Sequence, residues 1–258
     1  VLVPEQYSML VQKKLLALHP RHASRNLEAL SLNRLAYRVF QERNVQLPPI
    51  MDESGKAMVV RRVGSLLEKE LTLWKGKVKK AGFAEQVKSM ISECLQYGAA
   101  PSRFAELAAT EKKRQLSMKL RDFSLLYQGV RDFVQGKQLP KEEILGCFAG
   151  CVASSKLLRG AHILLAGFVG FTPVQYRVLE ELLAVAADVR FVVSLDTALN
   201  PYRQLPEEEL FHLSTEYIRR IGEIADRVRI PHGEDHSFPG AARLKAPELA
   251  FLDAHALR

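Results

Sequence analysis

The sequence predicts an α/β protein, a parallel sheet with helical crossovers that is interrupted by a large all-helical insertion. Three observations carry this expectation. Short apolar runs at residues 1–3, 27–30, 162–168 and 189–195 have the length and composition of buried parallel strands. Each run leads into a stretch with helical periodicity, the alternation that crossover units produce. Between the second and third runs, residues 48–155 are helical in pattern with almost no strand signal.

Taken in order, residues 1–3 look like a strand already under way at the first position, so the chain is expected to be a piece of a longer protein. Pro4 and Glu5 suit the first turn of a helix running to about Leu18, because proline tolerates that position and the acid complements the helix dipole. Residues 19–26 are a loop, and residues 27–30 a second strand. Ser31 is an N-cap for the helix LNRLAYRVFQER, whose Leu32, Leu35, Ala36, Val39 and Phe40 share one face. Pro48 and Pro49 then break the pattern, and Asp52, Glu53 and Ser54 start a new helix.

Within the insertion the periodicity predicts helices at 55–71, 83–97, 101–109, 113–135 and 141–154, punctuated by Gly76, Gly82, Gly98 and Gly136. Strand character returns at 162–168. A helix follows over 173–187 with Val174, Val178, Leu182 and Val185 on one face, then a strand at 189–195. The next helix spans 207–225 with Leu210, Leu213, Tyr217, Ile221 and Ile224 on one side. A loop-like stretch and a short final helix from Pro247 close the chain. The expected division is an α/β domain made of 1–47 and 156–258, with 48–155 as the inserted helical domain.

At 47% hydrophobic and 26% charged, the 258-residue chain has the composition of a globular protein. Its formal net charge is +8. The insertion holds 18 Lys+Arg against 12 Asp+Glu, so most of the excess is there, with local runs KGKVKK at 75–80 and KKR at 112–114. Such runs are usually solvated faces, but they also suit an anionic partner such as nucleic acid. The three cysteines, Cys94, Cys147 and Cys151, are too few for a disulfide framework or a closed zinc site and read as small partly buried residues in a reducing compartment. No apolar run reaches the ~20 residues needed to span a bilayer, and no signal peptide is present, so a cytoplasmic protein without a membrane partner is expected.

The stretch ILLAGFVGFTPVQ, residues 163–175, is the informative corner. Carboxyl ends of parallel strands present chemistry in α/β proteins. A nucleotide-driven motor would carry acids there, one to hold magnesium and one to position the attacking water. Here the positions hold Ala166 and Gly167, which have no side-chain oxygen. The phosphate-cradling pattern G-x-x-x-x-G-K-[ST] does not occur either; Gly55 and Lys56 lack the upstream glycine and the following hydroxyl.

An α/β domain interrupted by helices resembles the first domain of superfamily-one DNA helicases, a RecA-like sheet with its helical 1B insertion. VPEQYSMLVQKKL sits where those enzymes carry a strand, a turn and a helix that touches single-stranded DNA. SLNRLAYRVF resembles their next motif, with Ser31 in the hydroxyl place and Asn33 in place of a histidine. AGFVGFTPVQ sits on their acidic motif, with Ala166 and Gly167 on the two acids, Gly170 on a third and Gln175 on the glutamine. Nearly the whole chain resembles the B-subunit family of the bacterial two-subunit ATP-dependent helicase/deoxyribonucleases. Its pattern is met in order by VPEQ, LS-x-x-RLAYRV, D-x-x-GKAM, F-x-x-Q…YG-x-x-P, GF-x-GFTP-x-Q, the Leu195 and Asp196 pair, and LF…T at 210–215.

The resemblance implies a non-motor, helicase-like region of an end-processing complex in recombinational repair, which binds and guides single-stranded DNA leaving the motor of the companion A-subunit. It implies single-stranded or duplex-end DNA and that motor–nuclease subunit as partners, in a cytoplasmic, nucleoid-associated setting. ATP with magnesium and an iron–sulfur cluster are implied only for the full-length family, in segments outside this chain. The positions that line up with DNA contact are Gln6, Ser31, Asn33, Arg34 and Arg38; Ser31 can equally be a plain cap and the arginines solvated. Ala166, Gly167, Gln175 and Asp196 are the altered motor positions, and Asp196 is either a relic or, as the commoner role, a helix cap. Trp74 can stack on a base, but packing is the commoner fate of a tryptophan. The rival readings are a working ATPase and a protein-interaction scaffold that does not touch DNA.

Overall fold

The computed structural model describes residues 1–24, 26–80, 82–196 and 199–237. The chain divides into two compact units, Val1–Val193 and Ser194–Arg258. The first contains α1 (Ser8–Leu18), α2 (Leu32–Glu42), β1 (Ile50–Met51), α3 (Glu53–Leu66), α4 (Phe83–Tyr97), α5 (Pro101–Thr110), α6 (Arg114–Val134), β2 (Leu139–Pro140), α7 (Ile144–Val152), β3 (His162–Ala166), α8 (Pro173–Val185) and β4 (Asp188–Val192). The second contains α9 (His212–Arg227).

β3 and β4 pair in parallel, with His162 opposite Asp188 and Ala166 opposite Val192. Leu2 bridges in parallel to both Leu165 and Leu30. Leu2 N donates to Leu164 O at 2.7 Å, Ala166 N to Leu2 O at 2.9 Å, and Val3 N to Leu30 O at 3.0 Å. The four expected strand segments therefore lie side by side and parallel. The two early ones make single bridges rather than full strands, and Pro4 supplies the reason: it has no N–H to continue the ladder and opens the turn Glu5–Tyr7 that leads into α1.

The first unit holds two hydrophobic clusters. One joins Leu2, Leu165 and Ile163 to α2, α7 and α8; the expected face of α2, Leu32, Leu35, Ala36, Val39 and Phe40, is buried in it. The other joins Met51, Val60 and Val63 of β1 and α3 to Ile91 of α4, to Phe123, Leu126 and Tyr127 of α6, and to Leu71, Trp74 and Val78 of the connecting loop. Trp74 is 8% exposed and meets Phe83 and Phe123 edge-on, so it packs. Cys147 and Cys151 on α7 and Cys94 on α4 are partly buried free thiols against these clusters.

Several boundaries differ from the sequence expectation. α3 starts two residues early, at Glu53, because Asp52 caps it by accepting from Gly55 N at 2.6 Å. It ends at Leu66, which leaves Leu71 free to turn into the second cluster. The β1–β2 bridge falls in a segment whose pattern shows almost no strand; the prolines that read as breaks flank a two-residue parallel contact that brings the ends of the helical stretch together. α9 begins at His212 rather than 207, because residues 206–212 close two turns, Glu209 N to Pro206 O and His212 N to Glu209 O. Leu210 is accordingly exposed in the turn, Leu213 is exposed on the first turn of α9, and Tyr217 and Ile224 are buried. The expected final helix lies outside the described residues.

Candidate nucleic-acid interface

The parallel segments deliver their carboxyl ends to one edge of the sheet. After Leu30 the chain enters α2, and Ser31 caps it: Arg34 N donates to Ser31 Oγ at 3.2 Å. The same hydroxyl donates to the Glu5 carboxylate on the neighbouring turn. Arg34 Nε donates to the other Glu5 oxygen at 3.1 Å. Ser31 is 4% exposed, so its hydroxyl is spent on holding two turns together. One helical turn on, Arg38 Nη2 donates to Glu28 Oε1 at 2.9 Å. Both ion pairs are about half exposed, where such pairs contribute roughly 0–1 kcal/mol and exchange readily. Gln6 and Asn33 are exposed at the same edge.

β3 arrives beside this corner. Ala166 is held by its N–H to Leu2 O, and Gly167 follows at φ +79. A Cβ on Gly167 would stand 3.5 Å from Pro4 Cδ, so the glycine lies against the turn that carries Glu5 and Gln6. A left-handed backbone costs an L-residue about 1–2 kcal/mol, so an acid here would be strained as well as absent from the sequence. Next, Thr172 and Gln175 form a capping box on α8: Thr172 N donates to Gln175 Oε1 at 2.8 Å and Gln175 N to Thr172 Oγ1 at 3.4 Å. Gln175 is thus engaged in starting its helix.

The structure brings together Gln6, Ser31, Asn33, Arg34, Ala166 and Gly167, with Arg38 one turn away on α2. Asp196 belongs to the other unit, where Leu199 N donates to its carbonyl at 3.0 Å. The donor set does not fit magnesium with a nucleotide, since positions 166 and 167 offer no side-chain oxygen. Nor does it fit an iron–sulfur cluster, which takes four cysteines where the chain has three, one of them in the other cluster.

Other positions of the sequence motifs turn out to be structural. Lys56 of GKAM is fully buried, its Nζ 2.6 Å from Glu142 Oε1 and 2.7 Å from Ser92 Oγ. Gly98 of YG-x-x-P closes α4 at φ +69, and Ala99 O accepts from the buried Tyr127 hydroxyl at 3.0 Å. Burial pushes that phenol up to about 12. The bonded Lys141 ammonium, 2.6 Å away, holds the Glu53 carboxyl down at about 2. Asp122 is fully buried on α6 and accepts from Thr72 N, Thr72 Oγ1 and Trp74 N at 2.8–3.1 Å. A signal for Lys56 and Asp122 does exist in the sequence: each interrupts an apolar helical stripe, Lys56 that of Val59, Val60 and Val63, Asp122 that of Leu126 and Val130, and a charge there requires a buried partner.

Among the described residues no helix is long and apolar enough to cross a membrane. The family model described as ADDB, N-terminal matches residues 1–253. The chain is 34% identical over 232 residues to the B-subunit of the ATP-dependent helicase/deoxyribonuclease of Lachnoclostridium phytofermentans, covering 89% of this chain and 20% of that protein. It is 33% identical over 262 residues to the B-subunit of the same enzyme in Moorella thermoacetica, covering 99% and 23%, and 29% identical over 260 residues to that of Bacillus subtilis, covering 98% and 22%. The chain spans about a fifth of the length of these relatives. It belongs to the family of the N-terminal region of the B-subunit of the ATP-dependent helicase/deoxyribonucleases.

Proposed function

We propose that this chain is a RecA-like domain with a helical insertion that has given up the motor and kept the DNA track. It works within a two-subunit ATP-dependent helicase/exonuclease, beside a motor–nuclease A-subunit, processing broken DNA ends for recombinational repair at the nucleoid. A single strand leaving the partner's motor passes over the carboxyl edge of the sheet. Gln6 and Asn33 meet it with short polar side chains, and Arg34 and Arg38 exchange their glutamates for phosphates. Ser31 does its part from below, by fixing the turn of Glu5 against α2.

The observation that carries the non-motor reading is the corner itself: Ala166, then Gly167 with φ +79 against Pro4. Both the missing oxygens and the backbone conformation disfavour a magnesium-holding, water-positioning pair. The test is DNA-stimulated ATP hydrolysis by the full-length B-subunit in its complex, with the motor of the partner inactivated. Turnover at background is expected. Turnover at rates typical of a helicase would overturn the reading. Titration of the same complex with single-stranded DNA across a salt series tests the track; Arg34→Gln with Arg38→Gln should weaken binding several-fold and flatten its salt dependence by about one to two units. Unchanged binding would favour a scaffold.

A further inference from the structure

Residues 61–80 carry seven Lys+Arg against two Glu, the most basic stretch of the chain. A run of this kind is often a solvated, mobile surface. Here the backbone under it is fixed. Leu71, Trp74 and Val78 are buried at 2%, 8% and 4% exposure, while Lys75, Lys77, Lys79 and Lys80 are all exposed. The buried Asp122 clamps the start of the loop through Thr72 and Trp74. Val78 is pressed against α3, where a Cβ on Gly64 would stand 2.7 Å from its Cγ1. Gly76, at φ +73 with open space where its Cβ would be, forms the exposed turn between these anchors. The anchoring brings Gly64 of α3 and Asp122 of α6 against the loop, and the exposed Arg61 and Lys119 stand one turn before them on those helices.

Lys56, Lys88, Arg103, Arg131 and Lys141 each have a carboxylate within 4.0 Å. Lys75, Lys77, Lys79 and Lys80 have none among the described residues, and neither do Arg61 and Lys119 beside them. The buried carboxylate under the loop, Asp122, is turned inward and accepts from Thr72 and Trp74, while Glu68 and Glu70 lie just before the loop. A set of cations held in place without protein counter-ions is arranged for an external polyanion.

The kind of polyanion follows from where the tryptophan among the lysines is placed. Single-strand sites interleave basic groups with exposed aromatic faces on which bases stack. The aromatic side chain in this loop, Trp74, is buried edge-on between Phe83 and Phe123. Phosphate contact without base stacking suits the regular backbone of a duplex. The geometry points to the loop of Lys75, Lys77, Lys79 and Lys80, flanked by Arg61 and Lys119, as a sequence-independent clamp for the phosphate backbone of duplex DNA, separate from the single-strand edge at α2.

The experiment uses the full-length two-subunit complex, with Lys75, Lys77, Lys79 and Lys80 all changed to Gln, and a second variant with all four changed to Arg. Binding to a blunt duplex and to a single-stranded oligonucleotide is measured from low to high salt. For the Gln variant, duplex affinity should fall roughly tenfold or more at low salt, and the slope of log affinity against log salt should drop by about 2 to 4. The Arg variant should bind as the parent does, and single-strand affinity should hold in both. Parental duplex affinity and slope in the Gln variant would overturn the proposal. Equal loss for single strand and duplex would overturn the assignment to duplex, and failure to join the partner subunit with duplex binding intact would assign the loop to an acidic protein face instead. Because Arg34→Gln with Arg38→Gln probes only the single-strand edge, the two proposals fail independently.

Discussion

Two basic surfaces of the first unit carry positive charge in opposite ways. On α2, Arg34 and Arg38 each lean on a glutamate, Glu5 and Glu28, brought by the adjacent parallel segments. On the 71–80 loop, four lysines have no carboxylate partner among the described residues and stand above a backbone clamped from beneath by Asp122. In the first case acids on the surface neutralise the cations and restrain their side chains. In the second the acid is buried and restrains the backbone while leaving the ammonium groups unpaired. The difference teaches that charge counts alone do not say how a surface meets an anion. A paired arginine must exchange one carboxylate for one phosphate, with little net gain and some orientation. An unpaired lysine gains its attraction outright, and gains it more steeply at low salt.

The clamp is the place to break this contrast most forcefully. Asp122→Ala leaves the buried N–H of Trp74 without an acceptor, costing about 1–3 kcal/mol, and the part-buried N–H of Thr72 likewise at a smaller cost. We expect a local loss of about 3 kcal/mol in all, roughly a hundredfold in opening by the arithmetic of that penalty. Hydrogen exchange of the full-length protein reads it at the Thr72 and Trp74 amides. Asp122→Asn keeps one acceptor oxygen and should lose less. Amides as protected as in the parent would show that the loop is held by Leu71, Trp74 and Val78 alone, and that the lysines owe nothing to the buried acid.

The α2 corner has a smaller restraint to remove. Ser31→Ala takes away both the cap on Arg34 N and the hydroxyl that Glu5 accepts. Loss of a serine cap costs typically about 1 kcal/mol, within a range of roughly 0.5–2. Exchange at the Arg34 amide should quicken about fivefold, with no change at Thr72 or Trp74, because those amides share no partner with Ser31. Equal effects at both places would mean that the two surfaces form one cooperative unit and that the contrast drawn between them is one of appearance.

The parts of this architecture that are legible in the sequence are those set by period and by caps. The face of α2 from Leu32 to Phe40, the Ser31 cap, the span of α4 and the register of apolar runs all follow from local rules, and local rules can be read from a string. Buried charge is harder. Lys56 and Asp122 are easily passed over, because their meaning depends on Glu142 and on Thr72, which lie 86 and 50 residues away. The β1–β2 contact is hidden for the same reason: two residues carry no period, and prolines on a strand edge look like breaks. At the site, the absence of acids at Ala166 and Gly167 is plain in the letters. The positive φ of Gly167 is not, since glycine permits that conformation without requiring it. Leu210 marks the opposite error, a helical stripe assigned to a segment whose first part is turn, and Leu213 stays exposed on the first turn of α9 itself.

The gentlest change sharpens the comparison furthest, because it makes one surface behave like the other. Glu28→Gln removes the counter-ion of Arg38 while leaving the size of the side chain and the α2 cap untouched. The pair is about half exposed on both sides, so its loss should shift stability by no more than about 1 kcal/mol. Arg38 then stands unpaired, as the loop lysines do. If unpaired cations are what an anion reads, single-strand affinity of the full-length complex should rise about two- to threefold at low salt, and the gain should vanish as salt approaches the range where exposed charges are screened. A Glu28→Gln variant that binds single-stranded DNA no better than its parent at low salt would mean that the glutamate orients Arg38 for phosphate rather than competing with it, and the α2 edge would then have to be understood as a pre-set contact rather than a masked one.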